Sequence, residues 1–268
     1  MKNVFLLFII ALLLFSCSKK QNNKGNIYFK VVADSIFVLY ENKFLCPVFT
    51  KIENLKDNSI DFVQSAPNET SLIMKINSKQ TDTISILNSY SFKHYYGYYE
   101  EAKQAYDTAF NYALPFPKGK QYKIIQGYNG DFTHNTNFSR YTIDFELKIG
   151  DTVVAARDGI VIKVVDKHNK QGTTEKYKPY GNYILVHHED NTFAQYVHLK
   201  QYGALVKVGD TVIKNQPLGL SGFTGLTTTP HLHFGVFKAT TNGFVSIPII
   251  LDSIPGKKYT KNKIAKND

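Results

Sequence analysis

The feature that most constrains this chain is a turn written twice. Ile149-Gly150-Asp151-Thr152-Val153 recurs as Val208-Gly209-Asp210-Thr211-Val212, and each copy follows one β-patterned run and opens another. Glycine reaches backbone angles that other residues resist, and aspartate can bond the backbone beyond it, so each Gly-Asp makes a tight turn. Two copies of one β-turn-β unit predict a sheet built by duplication.

The rest of the chain supports a mainly β reading. At 268 residues it has room for one or two domains, and its many Tyr, Phe, Val, Ile and Thr residues favour strands. Runs over Ile27 to Val32, Ser35 to Tyr40, Ser71 to Ile76 and Thr81 to Leu87 are separated by Asn, Asp, Ser and Gly turn signals, which predicts a small β-sandwich-like domain over residues 27–112. Residues 99–109 are the one short helix candidate, and Pro115 and Pro117 then break the chain. A turn-dense β domain is expected over 113–255. The Lys-rich stretch 256–268 reads as a frayed, solvated tail. Duplicated hairpins also occur in lipoyl and biotinyl carriers, but no Met-Lys-Met or Asp-Lys-Ala triplet offers a lysine for modification.

Met1-Lys2-Asn3 and the apolar run Val4 to Phe15 have the basic start and short greasy middle of a secretory signal, too short for a comfortable membrane span. The run stops at Leu14-Phe15-Ser16-Cys17, and polar residues follow as a linker over 18–26. This resembles a bacterial lipoprotein signal. By that resemblance residues 1–17 end on a lipidated Cys17 that becomes the mature N-terminus. Cys46 is then alone, which excludes an intrachain disulfide and cysteine-ligated zinc and leaves any metal to His and carboxylate ligands. Cys46 itself reads as a small core residue in a strand. The net charge of +10 suits the anionic cell envelope. No basic stretch interleaved with aromatics argues for nucleic acid.

The sharpest chemical signal is His231-Leu232-His233. Alternate side chains of a strand share a face, so the two imidazoles point one way while Leu232 turns into the core. Three further segments accompany this triplet. Asp131-Phe132-Thr133-His134 is followed by Tyr141-Thr142-Ile143-Asp144-Phe145, Gly181-Asn182-Tyr183 leads to Tyr196-Val197-His198-Leu199, and Leu218-Gly219-Leu220-Ser221-Gly222 precedes the triplet. In that order they resemble the lysostaphin-type, LytM-like zinc metallopeptidases, which cut peptide cross-bridges or stems of bacterial peptidoglycan. The resemblance covers about residues 125–250. It implies a duplicated hybrid-motif antiparallel β catalytic domain with one Zn²⁺ in a groove on the sheet.

Carried over by position, the resemblance implies His134, Asp144 and His233 as zinc ligands, with His198 and His231 as the non-ligand catalytic pair. Two histidines and one carboxylate fill three tetrahedral positions and leave the fourth for water or the scissile carbonyl. Nine residues separate His134 from Asp144, more than in many family members, so His134 is expected to return on a loop; His94 is the substitute ligand. His168 reads as solvated, and His187 and His188 as the end of a strand. Arg157 and Asp158 read as a turn, Asn182 as a backbone brace, and 167–180 as an exposed loop bordering the groove.

The expected function is therefore a zinc metalloendopeptidase acting on peptidoglycan peptides, anchored by lipid to a bacterial membrane and facing the periplasm. The rival is a catalytically inactive peptidoglycan-binding or hydrolase-activating member of the same fold. Such adaptors usually show themselves by losing ligands, and here all five site positions are filled.

Overall fold

The computed structural model describes residues 25–77, 88–100 and 106–268. The signal-like segment with Cys17 and the expected strand at 81–87 lie outside them. So does the middle of the expected helix over 99–109, and residues 107–110 form a turn instead, in which Asp107 accepts from the backbone N–H groups of Ala109 and Phe110.

Strands dominate. A nine-stranded antiparallel sheet runs in the order Thr211–Val212, Gly159–Val165, Tyr183–His187, Phe193–Val197, Leu232–Thr240, Ile143–Phe145, Lys120–Gln126 and Ile264–Asn267, with Gly243–Ser246 also paired to Leu232–Thr240. Facing it is a three-stranded antiparallel sheet of Thr152–Val154, Pro217–Ser221 and Leu199–Ala204.

The repeated turns join these two layers reciprocally. In the first copy Asp151 Oδ2 accepts from the Lys148 N–H at 2.8 Å, and in the second Asp210 Oδ2 accepts from the Lys207 N–H at 2.9 Å. Gly150 and Gly209 sit at φ +92° and +101°, the left-handed region that makes glycine the residue of choice. The strand after the first copy pairs with Pro217–Ser221, downstream of the second, and the strand after the second pairs with Gly159–Val165, downstream of the first. The duplication in sequence is a duplication in space.

Both faces of the large sheet are buried. Val161, Ile184, Val186, Tyr196, Phe234 and Val236 point into the core between the layers. Residues of opposite parity, Ile162, Leu185, Phe193 and Phe237, pack against Val38, Tyr40, Val48 and Ile52 from the N-terminal region. That region holds two three-stranded antiparallel sheets. One contains Gly25–Val32, Ser35–Asn42 and Thr70–Asn77; the other contains Ile60–Ser65, Val48–Asn54 and Tyr90–Tyr96.

Two expectations need correction. Cys46 is buried, but in the bend between the Ser35–Asn42 and Val48–Asn54 strands rather than in a strand. The 256–268 segment is not a frayed tail: Ile264–Asn267 adds an antiparallel strand beside Lys120–Gln126, and Tyr259, Ala265 and Asn267 are buried. On that strand exposed Ile264 and Lys266 alternate with inward Ala265 and Asn267, and the lysine suits an edge strand.

Candidate metal centre

Register builds the centre of the site. His233 on the Leu232–Thr240 strand pairs with Asp144 on one side and with Val197 on the other, and Asp144 pairs in turn with Gln126. Leu232 and Phe234 are buried in the core while His233 turns to the opposite face, as strand alternation requires. His231 precedes the strand and aims the same way, its Nε2 3.8 Å from Asp144 Oδ1.

His134 arrives on the loop between the Lys120–Gln126 and Ile143–Phe145 strands. It is fully buried, and Nδ1 lies 2.9 Å from the Gly127 carbonyl oxygen. A carbonyl only accepts, so that nitrogen carries the proton and Nε2 presents a lone pair. This Nε2 is 3.2 Å from Asp144 Oδ1 and 3.3 Å from His233 Nδ1, and His233 Nδ1 is 2.8 Å from Asp144 Oδ1.

These three atoms form one face of a small tetrahedron. Ligands at about 2.0–2.1 Å from zinc in tetrahedral geometry stand about 3.3 Å apart, which matches the two spacings from His134, while the His233–Asp144 pair stands closer, at 2.8 Å. The donor set of two imidazole nitrogens and one carboxylate oxygen also suits zinc with an open fourth position. Burial raises the pKa of Asp144, but the neighbouring imidazoles, His231 and His233 first and then His134, outweigh it and hold the carboxyl well below its ordinary range.

The remaining pair stands beside this triangle. His198 and His231 have ring centroids 4.5 Å apart, and His198 lies 6.0 Å from His233. Each is tied by Nδ1 to a backbone carbonyl, His198 to Thr224 at 2.6 Å and His231 to Thr229 at 2.8 Å. Both therefore keep an unprotonated Nε2 in the neutral form. Burial first, then the neighbouring His231 and His233, push the His198 pKa well below that of a free imidazole.

His198 also adopts φ +65°, an unusual conformation for a residue other than glycine. Asn182 braces this corner. Its side chain donates to the carbonyls of His168 and Leu199 and accepts from the His168 N–H, while its own N–H donates to Thr224 Oγ1.

A groove of about 810 Å³ opens over His198 and His233, walled by Phe132, Phe138, Tyr183 and Leu226, with Glu175 and Lys178 from the 167–180 segment at its rim. The other histidines are elsewhere. His94 lies on the Tyr90–Tyr96 strand, stacked on Tyr40 at 4.1 Å and 2.9 Å from Thr50 Oγ1, so it is no substitute ligand. His188 is buried against the Asp158 carbonyl, and His168 is half-buried against Tyr180. Arg157, expected only as part of a turn, bridges Asp190 and Tyr112 and stacks over Phe110.

Residues 139–244 match the description of Peptidase family M23. They form a peptidase family M23 domain. The matched M23 segment contains Asp144, His198, His231 and His233 and begins just after His134. An uncharacterized metalloprotease of Buchnera aphidicola is 33% identical over 155 residues, 55% of this chain and 38% of its own length. The peptidoglycan DD-endopeptidase ShyB of Vibrio cholerae is 35% identical over 144 residues, 52% of this chain and 30% of its own. The chain thus spans less than half the length of these curated relatives. Among solved structures, the catalytic domain of lysostaphin from Staphylococcus simulans matches at 30% identity and a TM-score of 0.32, covering 44% of this chain and 78% of that one. M23 peptidases are zinc metallopeptidases, and the donor triangle of this M23 domain fits that metal.

Proposed function

We propose that this chain is a zinc-dependent metalloendopeptidase that hydrolyses peptide cross-links or stems of bacterial peptidoglycan. The observation that carries the reading is convergence: four histidines from three separate segments surround one buried carboxylate at the floor of an open groove. His134, Asp144 and His233 would hold the zinc. When bound, the metal acts as a Lewis acid that polarises the scissile carbonyl and acidifies a water.

The chain's own residues then account for the protons. His198 and His231, each with Nδ1–H held by a backbone carbonyl, present an unprotonated Nε2 toward the reacting centre. One such Nε2 accepts a proton as a water oxygen bonds to the carbonyl carbon. As the carbon–nitrogen bond breaks, the leaving amine takes a proton from an Nε2–H of the pair, so protons balance over the cycle. The tethers matter because they fix which nitrogen faces the substrate. Phe132 and Phe138 give the groove an apolar wall, while Glu175 and Lys178 offer polar contacts to a peptide backbone or its charged ends.

The same reading places the protein in the cell envelope, attached through a lipid on Cys17, with residues 27–112 as a spacer or partner-binding unit. Intact-mass measurement of the mature protein tests the anchor: acyl chains on Cys17 are expected, and their absence removes it. The enzymatic claim is tested by incubating zinc-loaded protein with purified sacculi and identifying released fragments by mass. New peptide termini are expected. If sacculi and synthetic stem peptides both stay intact while zinc is bound, the claim fails.

A further inference from the structure

Gln126 ends the Lys120–Gln126 strand directly across from Asp144, and its carboxamide is used at both ends. Nε2 donates to Asp144 Oδ2 at 3.1 Å and to Thr133 Oγ1 at 2.8 Å. Oε1 accepts from the backbone N–H groups of Phe132 and Thr133 at 3.2 and 3.3 Å. One side chain therefore joins the carboxylate to the loop that delivers His134.

The two oxygens of Asp144 divide their work. Oδ1 faces His134 Nε2 and His233 Nδ1, whereas Oδ2 faces Gln126. A carboxylate bound to a cation through one oxygen can swing about its side-chain torsions unless the other oxygen is held. The amide holds it without bringing a second negative charge. Hydrogen bonds of this outer kind orient metal ligands, and their loss commonly costs about 10–100-fold in metal affinity.

The loop has a matching need. His134 stands ten residues before Asp144, on a segment with no ladder of strand pairing around the histidine. Its backbone is tied instead by local turns, by the Gly127 carbonyl and by Gln126. Gly130 closes over that amide: a Cβ there would lie 2.4 Å from Gln126 Cγ and 2.9 Å from Cδ. The loop can cross so closely only because position 130 has no side chain.

We propose that Gln126 is the positioning residue of the zinc site, fixing the Asp144 carboxylate and the His134 loop together and thereby setting zinc affinity. The proposal rests on His134, Asp144 and His233 being the zinc ligands. It is tested on the full chain by measuring the zinc dissociation constant through chelator competition, together with the melting temperature of the metal-free protein. Gln126→Met, similar in length but without hydrogen-bonding groups, is expected to weaken zinc binding about 10–100-fold.

Gly130→Ala leaves Gln126 in the sequence but displaces its amide, and is expected to weaken binding several-fold; it decides the matter alone if Gln126→Met does not fold. A purely structural role would lower the metal-free melting temperature and leave the affinity of the folded protein unchanged. Affinities within twofold of the parent in every folded variant overturn the proposal. Asp144→Ala separates the two levels of the argument. If it binds zinc like the parent, the ligand assignment falls, and this proposal with it. If it loses zinc while Gln126→Met and Gly130→Ala keep it, only the positioning role falls.

Discussion

His188 and His198 are alike in most respects that make a histidine conspicuous. Both are buried, both lie at the end of a strand or just beyond it, and both place Nδ1 on a backbone carbonyl, at 2.7 Å from Asp158 and 2.6 Å from Thr224. Their surroundings differ. His188 packs edge-on to Tyr112, and its Nε2 finds no hydrogen-bond partner. His198 faces His231 and His233, which share the Asp144 carboxylate. Burial and a fixed tautomer are thus common to a core histidine and a chemical one. What distinguishes the site is a buried negative charge onto which several imidazoles converge, an arrangement that is costly without a cation and natural with one.

The largest effects should fall on the carboxylate side of this comparison. Asp144→Ala is expected to abolish zinc binding and reduce peptidoglycan cleavage to background, read by metal analysis of dialysed protein and by fragment release. His188→Gln should keep about one zinc per chain and near-parental cleavage. Loss of zinc in the His188 variant would break the distinction. Next comes His231→Ala, expected to retain zinc while cleavage falls about 10²–10⁴-fold, as for removal of a general acid or base. Zinc loss in that variant would move His231 among the ligands.

A smaller effect belongs to stability. Burial lowers the pKa of His188 to about 4 and that of His94 to about 4, from an ordinary value of 6.5. Between those limits the unfolded chain binds more protons than the folded one, so stability rises with pH across the window. The contribution of each neutral histidine is fully present above the unfolded pKa and is lost as pH falls through about 4, a difference of about 3 kcal/mol per histidine. Urea unfolding of metal-free protein at pH 7 and pH 4.5 should show the loss, and His188→Gln should flatten it. An unchanged pH dependence would show that His188 is not buried neutral. The smallest effects concern the repeated turns: Gly150→Ala and Gly209→Ala should each cost about 1 kcal/mol in the same assay, nearly equally, because the two conformations match.

The parts legible in the sequence were those governed by neighbours in the chain. The Gly-Asp turns close through bonds spanning three residues, so each copy carries its own instructions. The tail's strand is hidden in the sequence because Ile264–Asn267 pairs with residues more than 130 positions earlier, and lysines dominate the composition of 256–268 while Ala265 and Asn267 carry the burial. The strands at Val48–Asn54, Ile60–Ser65 and Tyr90–Tyr96 carry no clean alternation of buried and exposed residues, so their pattern does not mark them as strands in the sequence. Gln126 had no signal of its own: a lone glutamine at a strand end becomes informative only once its two partners are known.

The sequence alone determined the two turns, the mainly β character and the shared direction of His231 and His233, because local backbone bonding and the twofold period of a strand suffice for each. Only the tertiary structure decided that Gln126, Asp144, His233 and Val197 fall in one row across the sheet and that the loop over residues 127–142 sets His134 beside that row. Register between distant strands is chosen by the burial of both sheet faces at once, and a one-residue slip would turn Asp144 into the core.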